Sequence, residues 1–266
     1  MPIIFYRWIM LLTFLSVSYG GGISIDSGLT PPLNRVIFRT QARFMNQTMA
    51  NSGIEMTMRG NPLVLAYGLS SKLALIGRII HMTRLGNAMA PASSGWNDIL
   101  LMAKFKLWRE NTASQTIGLA GVLAGEIPTG SRGFSSDTYA GIAGFQGSLR
   151  RGSLALELNL ETKLAGLFTK HSEKKRGEWA LNSALAWLIP VGSSGNMAVT
   201  PVVEFTRVVE WKTEITGKQF WISPGMKLTI SSFIIEGLFQ YPVSQASTAQ
   251  SFTLKPGGLI GIRLMF

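Results

Sequence analysis

In several stretches of this 266-residue chain, polar and ionisable residues take alternate positions, separated by apolar ones. Arg39 and Arg43 alternate with Phe38, Ala42 and Phe44. Asp98, Lys104 and Lys106 alternate with Ile99, Leu101, Ala103, Phe105 and Leu107. Glu157, Glu161 and Lys163 alternate with Leu156, Leu158 and Leu160. Successive side chains of a strand point to opposite faces, so each stretch has one charged face and one apolar face. By the same parity Arg78, Glu178, Glu204, Lys227, Glu236 and Arg263 join the charged face. A face of mixed sign can do two things. It can pair into a salt-bridged network that fills an interior, or it can line a path for small anionic or aromatic solutes. Groups for covalent chemistry are scarce. The chain has two histidines and no cysteine, which excludes disulfides and cysteine-based zinc sites. A serine nucleophile or an activated water needs a histidine base held by a third group. His171 has Ser172 and Glu173 only as sequence neighbours, and His81 falls on an apolar face. No catalytic residue, metal site or cofactor is expected, and a hydrolase is kept as a third reading.

The elements that must present these residues are strands. Leu154, Leu156, Leu158 and Leu160 fall on one side of a strand, whereas a helix would scatter them. Trp179, Leu181, Leu185 and Trp187 repeat the pattern, and so do Ile260, Ile262, Leu264 and Phe266 at the C-terminus. Segment 115–127 sets Ile117, Leu119, Leu123 and Ile127 against Gly118, Ala120 and Ala124. Past residue 20 there is no unbroken apolar run of about 18 residues, so no helical span is expected in the body of the chain. Charged residues are only 15% of the sequence. An apolar chain without apolar runs is what alternating transmembrane strands produce.

About twelve strands are predicted from residue 35 onward, with ten to fourteen possible. Their connections alternate between long and short, which matches long extracellular loops and short periplasmic turns. Residues 83–96, 128–137, 167–177, 210–218 and 242–256 are expected outside the cell. Residues 70–72, 109–114, 151–152 and 190–196 are expected on the periplasmic side. Lipid offers no hydrogen-bond partners, so the first strand must pair with the last.

Residues 1–20 have the form of a cleaved signal peptide, with Arg7, an apolar core around Trp8–Leu15 and small residues at Ser18 and Gly20. Residues 21–34 are expected to form an N-terminal periplasmic segment or a plug, and 35–266 the barrel. The net charge is +11. For an exported chain, the polyanions at hand are phosphorylated lipid headgroups rather than nucleic acid. The densest basic cluster, Lys170, Lys174, Lys175 and Arg176, is placed in an extracellular loop, where it could contact lipopolysaccharide phosphates or stand as a solvated hairpin tip.

Ala124-Gly125-Glu126-Ile127-Pro128-Thr129-Gly130 resembles the Pro-Thr-Gly strand-to-loop corner of the outer-membrane MetA-pathway of phenol degradation family, a group of barrels described as transporters. Pro62–Leu69, Trp96-Asn97-Asp98-Ile99, Ser223–Lys227, Gln240-Tyr241-Pro242-Val243 and Gly258–Phe266 follow in the same order. Asn97-Asp98 departs from the usual Gly-Asp. The resemblance implies an outer-membrane barrel, and transport only loosely. It also implies that Phe266 is the signal read by the barrel-assembly machinery.

The sequence therefore predicts an all-β protein, a monomeric transmembrane antiparallel up-and-down β-barrel of the bacterial outer membrane. Its lumen either passes small solutes or is plugged.

Overall fold

The computed structural model describes residues 22–24, 27–49, 53–86, 91–168, 176–192, 197–212, 215–247 and 252–266. The strands are β1 (Val36–Met49), β2 (Glu55–Gly68), β3 (Leu73–Arg84), β4 (Ser93–Trp96), β5 (Ile99–Asn111), β6 (Gln115–Ile127) and β7 (Tyr139–Arg151). They continue as β8 (Leu154–Leu167), β9 (Arg176–Trp187), β10 (Ile189–Val191), β11 (Met197–Lys212), β12 (Ile215–Ile230), β13 (Phe233–Ser247) and β14 (Phe252–Met265). β4 and β10 are short and lie on the rim. The remaining strands form a closed antiparallel barrel of twelve strands, each paired with its chain neighbours.

Closure is made by β1 on β14, with Arg39 opposite Arg263 and Arg43 opposite Leu259. At the very end, Phe266 N–H donates to the Val36 carbonyl at 2.9 Å. The expected all-β barrel and its strand number hold. The predicted strand 115–127 coincides with β6.

Two expected outer loops are shorter than predicted. Residues 210–212, 215–218, 242–247 and 252–256 are strand, so only 213–214 and 248–251 separate those strand pairs. The alternation that marks a strand fades there, because Pro242, Ser244, Gln245, Ala246 and Ser247 give neither face a run of large apolar side chains.

The outward face is the apolar one. Leu154, Leu156, Leu158 and Leu160 are 50%, 46%, 52% and 50% exposed, while Glu157 and Asn159 between them are 0% and 1% exposed. In water, each such leucine would forgo about 1.5–3 kcal/mol of burial. In a bilayer, lipid covers it. The barrel is turned inside out relative to a soluble one, which is the arrangement of transmembrane barrels.

The inward face is not polar throughout. Ile37, Val64, Ile76, Leu100, Met102, Val122 and Ile142 pack together inside the lumen on β1 to β7. A second cluster of Met56, Met58, Ile80 and Met82 is capped by Phe134 from the 128–138 loop. That loop is pinned to the wall by Asp98. Its carboxylate accepts the N–H of Gly130 at 3.0 Å, the N–H of Ser136 at 2.7 Å and the Ser136 hydroxyl at 2.6 Å.

Candidate functional site

The charged lumen residues fall into groups with different partners. Glu236 on β13 is fully enclosed and accepts Arg39 Nε at 2.7 Å, Gln41 Nε2 at 2.7 Å and Arg263 Nη2 at 2.8 Å. Arg43 Nε donates to the Gln41 side chain at 2.9 Å, extending this group up β1. Across the barrel, Glu126 on β6 accepts Lys163 Nζ at 2.5 Å and sits 3.5 Å from Arg78 Nη2. Glu161 accepts Gln146 Nε2 at 3.0 Å. Glu178 and Lys227 are buried on β9 and β12, and Lys106 is half-buried in the C-terminal half of β5.

A third group holds a segment of chain rather than a neighbouring strand. Residues 22–24 and 27–34 run from the start of β1 into the barrel. Asn34 N–H donates to the Gly68 carbonyl at 2.9 Å, at the C-terminal end of β2. The Ser27 hydroxyl lies 2.8 Å from that of Ser148 on β7, and Gly28 N–H donates to the same oxygen at 2.7 Å. Lys104 on β5 donates to the Ser27 carbonyl, and Ser148 donates to Glu157. On the other side, Glu204 on β11 accepts Ser24 N–H at 2.9 Å, together with Ile23 N–H and the Ser24 hydroxyl. Ile23 is packed among Ala184, Ala186, Val202, Leu238 and Leu259. The segment thus touches walls on opposite sides of the lumen, as a strap. Two glycines make room for it. A Cβ on Gly118 would lie 2.6 Å from Leu29 Cδ2, and one on Gly28 would lie 2.6 Å from the Gly118 carbonyl oxygen.

Above the strap, the half of the barrel away from the chain's entry into β1 holds an open vestibule. Ser24 contributes to its floor. Glu161, Lys163, Glu178, Asn182 and Trp221 contribute to its walls. Asn159 and Asn182 are cross-strand partners, and both turn a buried side-chain oxygen toward the lumen with no hydrogen-bond partner. Polar walls of this kind suit water or a polar solute.

The structure brings together Arg39, Glu236 and Arg263, with Arg43 reaching them through Gln41. Lys163 and Arg78 meet at Glu126, a residue that the charged-face parity set left out. The alternation of Gly118, Ala120 and Ala124 does place Glu126 inward, but the small residues around it flatten the contrast between the faces. Asp98 holds a loop and directly precedes β5. Phe266 ends the closing strand. Arg176 opens β9 and is half-buried. His81 stacks edge-on against Trp96 at 5.0 Å. Residues 1–20, Lys170, His171, Lys174 and Lys175 lie outside the described residues.

No family model matches the sequence, and no curated protein does. Solved structures do match. The COG4313 outer membrane channel from Pseudomonas putida F1 superposes with a TM-score of 0.70 at 12% identity, covering 92% of this chain and 100% of that one. The beta domain of the Bordetella autotransporter Brka gives 0.54 at 11% identity, covering 88% and 100%. At these identities the likeness is one of fold. The fold is that of a bacterial outer-membrane β-barrel, in agreement with the apolar outer face.

Proposed function

We propose that the chain is an outer-membrane channel for small solutes, with a vestibule on the extracellular side and a strap that closes the path toward the periplasm. One observation carries this reading: the vestibule's floor includes a terminal segment. Polar contacts and the side chains of Ile23 and Leu29 hold that segment, so it can leave without any wall strand unpairing. The name of the Pseudomonas neighbour, an outer membrane channel, is consistent with it. So is the resemblance of Glu126–Gly130 and the C-terminal strand to the MetA-pathway of phenol degradation family, while the charged lumen face would suit a small anionic or aromatic solute as cargo.

The reading assigns no catalytic role to any residue and needs no cofactor. The basic loop with Lys170, Lys174, Lys175 and Arg176 would face lipopolysaccharide phosphates. Phe266 would be read by the barrel-assembly machinery, and the barrel would work as a monomer. The test is conductance in planar bilayers. The mature chain should show small or rare openings in KCl, and a variant lacking residues 21–31 should conduct steadily.

A second reading is favoured by the apolar packing of Ile37, Val64, Leu100 and Met102 inside the lumen. In it the barrel is structural and stays closed. No conductance from the truncated variant, with the barrel still folded, would select it.

A further inference from the structure

The ladder that closes the wall stops short at one place. β13 and β14 pair from Phe233 opposite Leu264 up to Gln240 opposite Gly257, and no higher among the described residues. Both strands nevertheless continue. β13 stays paired with β12 as far as Ser247, and β14 stays paired with β1 as far as Phe252. Residues 241–247 and 252–256 therefore flank a seam in the outer half of the wall.

The sequence supplies the cause. Pro242 and Pro256 lack the N–H that a ladder needs. Both strands also bulge here, β13 against β12 beside Trp221 and β14 against β1 beside Phe44. The seam is bridged by a side chain, because Leu254 N–H donates to Gln245 Oε1 at 2.8 Å.

The seam presents exposed apolar side chains on one side and borders the vestibule on the other. Phe239, Tyr241 and Val243 are exposed on the outer surface of β13. Gln240, Leu254, Lys255 and Gly257 line the vestibule, beside Met45 and Trp221. Strand edges facing hydrocarbon without partners are costly, and irregular backbone is tolerated where it borders a cavity. Behind this edge the cavity offers an apolar surface, Trp221, Leu254 and Met45, next to the side-chain amide of Gln240, while Lys255 Nζ is held by Glu55 at 2.8 Å.

We propose that the seam is a lateral doorway, through which a small amphiphile dissolved in the outer leaflet, an apolar body with one polar end, enters the vestibule. The doorway deepens the channel reading by naming a class of cargo and its route. It does not depend on passage to the periplasm, since a closed barrel could still capture the molecule.

The chain has no cysteine, so the seam can be locked cleanly. Ser244→Cys and Thr253→Cys, both exposed and off the vestibule, are bridged in the folded protein with dibromobimane. The readout is the part of the tryptophan emission that disappears in Trp221→Phe. In liposomes, 9,10-dibromostearate should quench this component, locking should cut that quenching at least fivefold, and aqueous iodide should quench it equally in both states. A dibrominated phospholipid, too large for the seam, should quench it no more before locking than after. Quenching by dibromostearate that is absent, or unchanged by locking while heat-shift gels show a folded barrel, would overturn the doorway. Conductance plays no part in this readout, so a failure of the channel reading would leave the doorway standing, and the reverse.

Discussion

Glu204, on wall strand β11, accepts the backbone N–H of Ser24 at 2.9 Å, joining positions 180 residues apart. The same carboxylate takes Ile23 N–H and the Ser24 hydroxyl. Hydrogen bonds to a charged group contribute about 1.5–3 kcal/mol each. Glu204→Ala should therefore raise the opening of the strap about tenfold or more, because about 1.4 kcal/mol is a factor of ten. Hydrogen exchange of the strap amides is the measurement, and Glu204→Gln should fall between Ala and the parent. Exchange unchanged in Glu204→Ala would mean that the strap is held by something else.

The glycine pair gives an independent test of the same strap. A Cβ on Gly28 meets the backbone oxygens of Gln146 and Gly118 at 2.6 Å, and backbone in a paired wall cannot yield. A Cβ on Gly118 meets first the end of the Leu29 side chain, which can swing away. Gly28→Ala should free the strap and Gly118→Ala should only loosen it, with barrel melting unchanged in both. Equal exchange in the two variants would contradict this packing.

The strands and their parity were legible because lipid imposes a strict rule, apolar outward at every second residue. That rule marks Leu154 to Leu160 and the closing strand without any knowledge of their neighbours. It weakens where both faces carry small residues, which is why Glu126 was missed. It weakens again at the far ends of β13 and β14, where 244–247 and 252–256 continue as strand with little apolar alternation. Parity also puts charge inside without saying what each charge meets. The contacts of Glu236 with Arg39, and of Glu204 with Ser24, join residues nearly 200 positions apart, and only closure of the barrel creates them.

Glu126 holds two cations, Lys163 at 2.5 Å and Arg78 at 3.5 Å. Buried pairs gain little over apolar replacements, but removing one partner strands the other at a cost of about 3–5 kcal/mol. Glu126→Gln should be markedly destabilised, while Glu126→Gln with Lys163→Gln should recover part of the loss. Urea unfolding in liposomes, run as a double-mutant cycle, measures the coupling. Purely additive effects would show the three charges to be solvated separately.

The two faces of β8 can be set against each other at adjacent positions. Leu158 is about half exposed on the outer surface near the middle of its strand, so an arginine there must sit in lipid. That costs about 2–4 kcal/mol at the midplane of a bilayer. Asn159 points inward and is buried, with its side-chain oxygen lacking a hydrogen-bond partner. Replacing it with leucine removes that unsatisfied group, and the inner wall already carries apolar side chains, so Asn159→Leu should fold about as well as the parent. Leu158→Arg should insert into liposomes in much lower yield, and Leu158→Ala should be mild, since lipid closes over the missing atoms. If Leu158→Arg and Asn159→Leu fold equally well, the outer face of β8 is not against lipid, and the assignment of inside and outside along this strand is reversed.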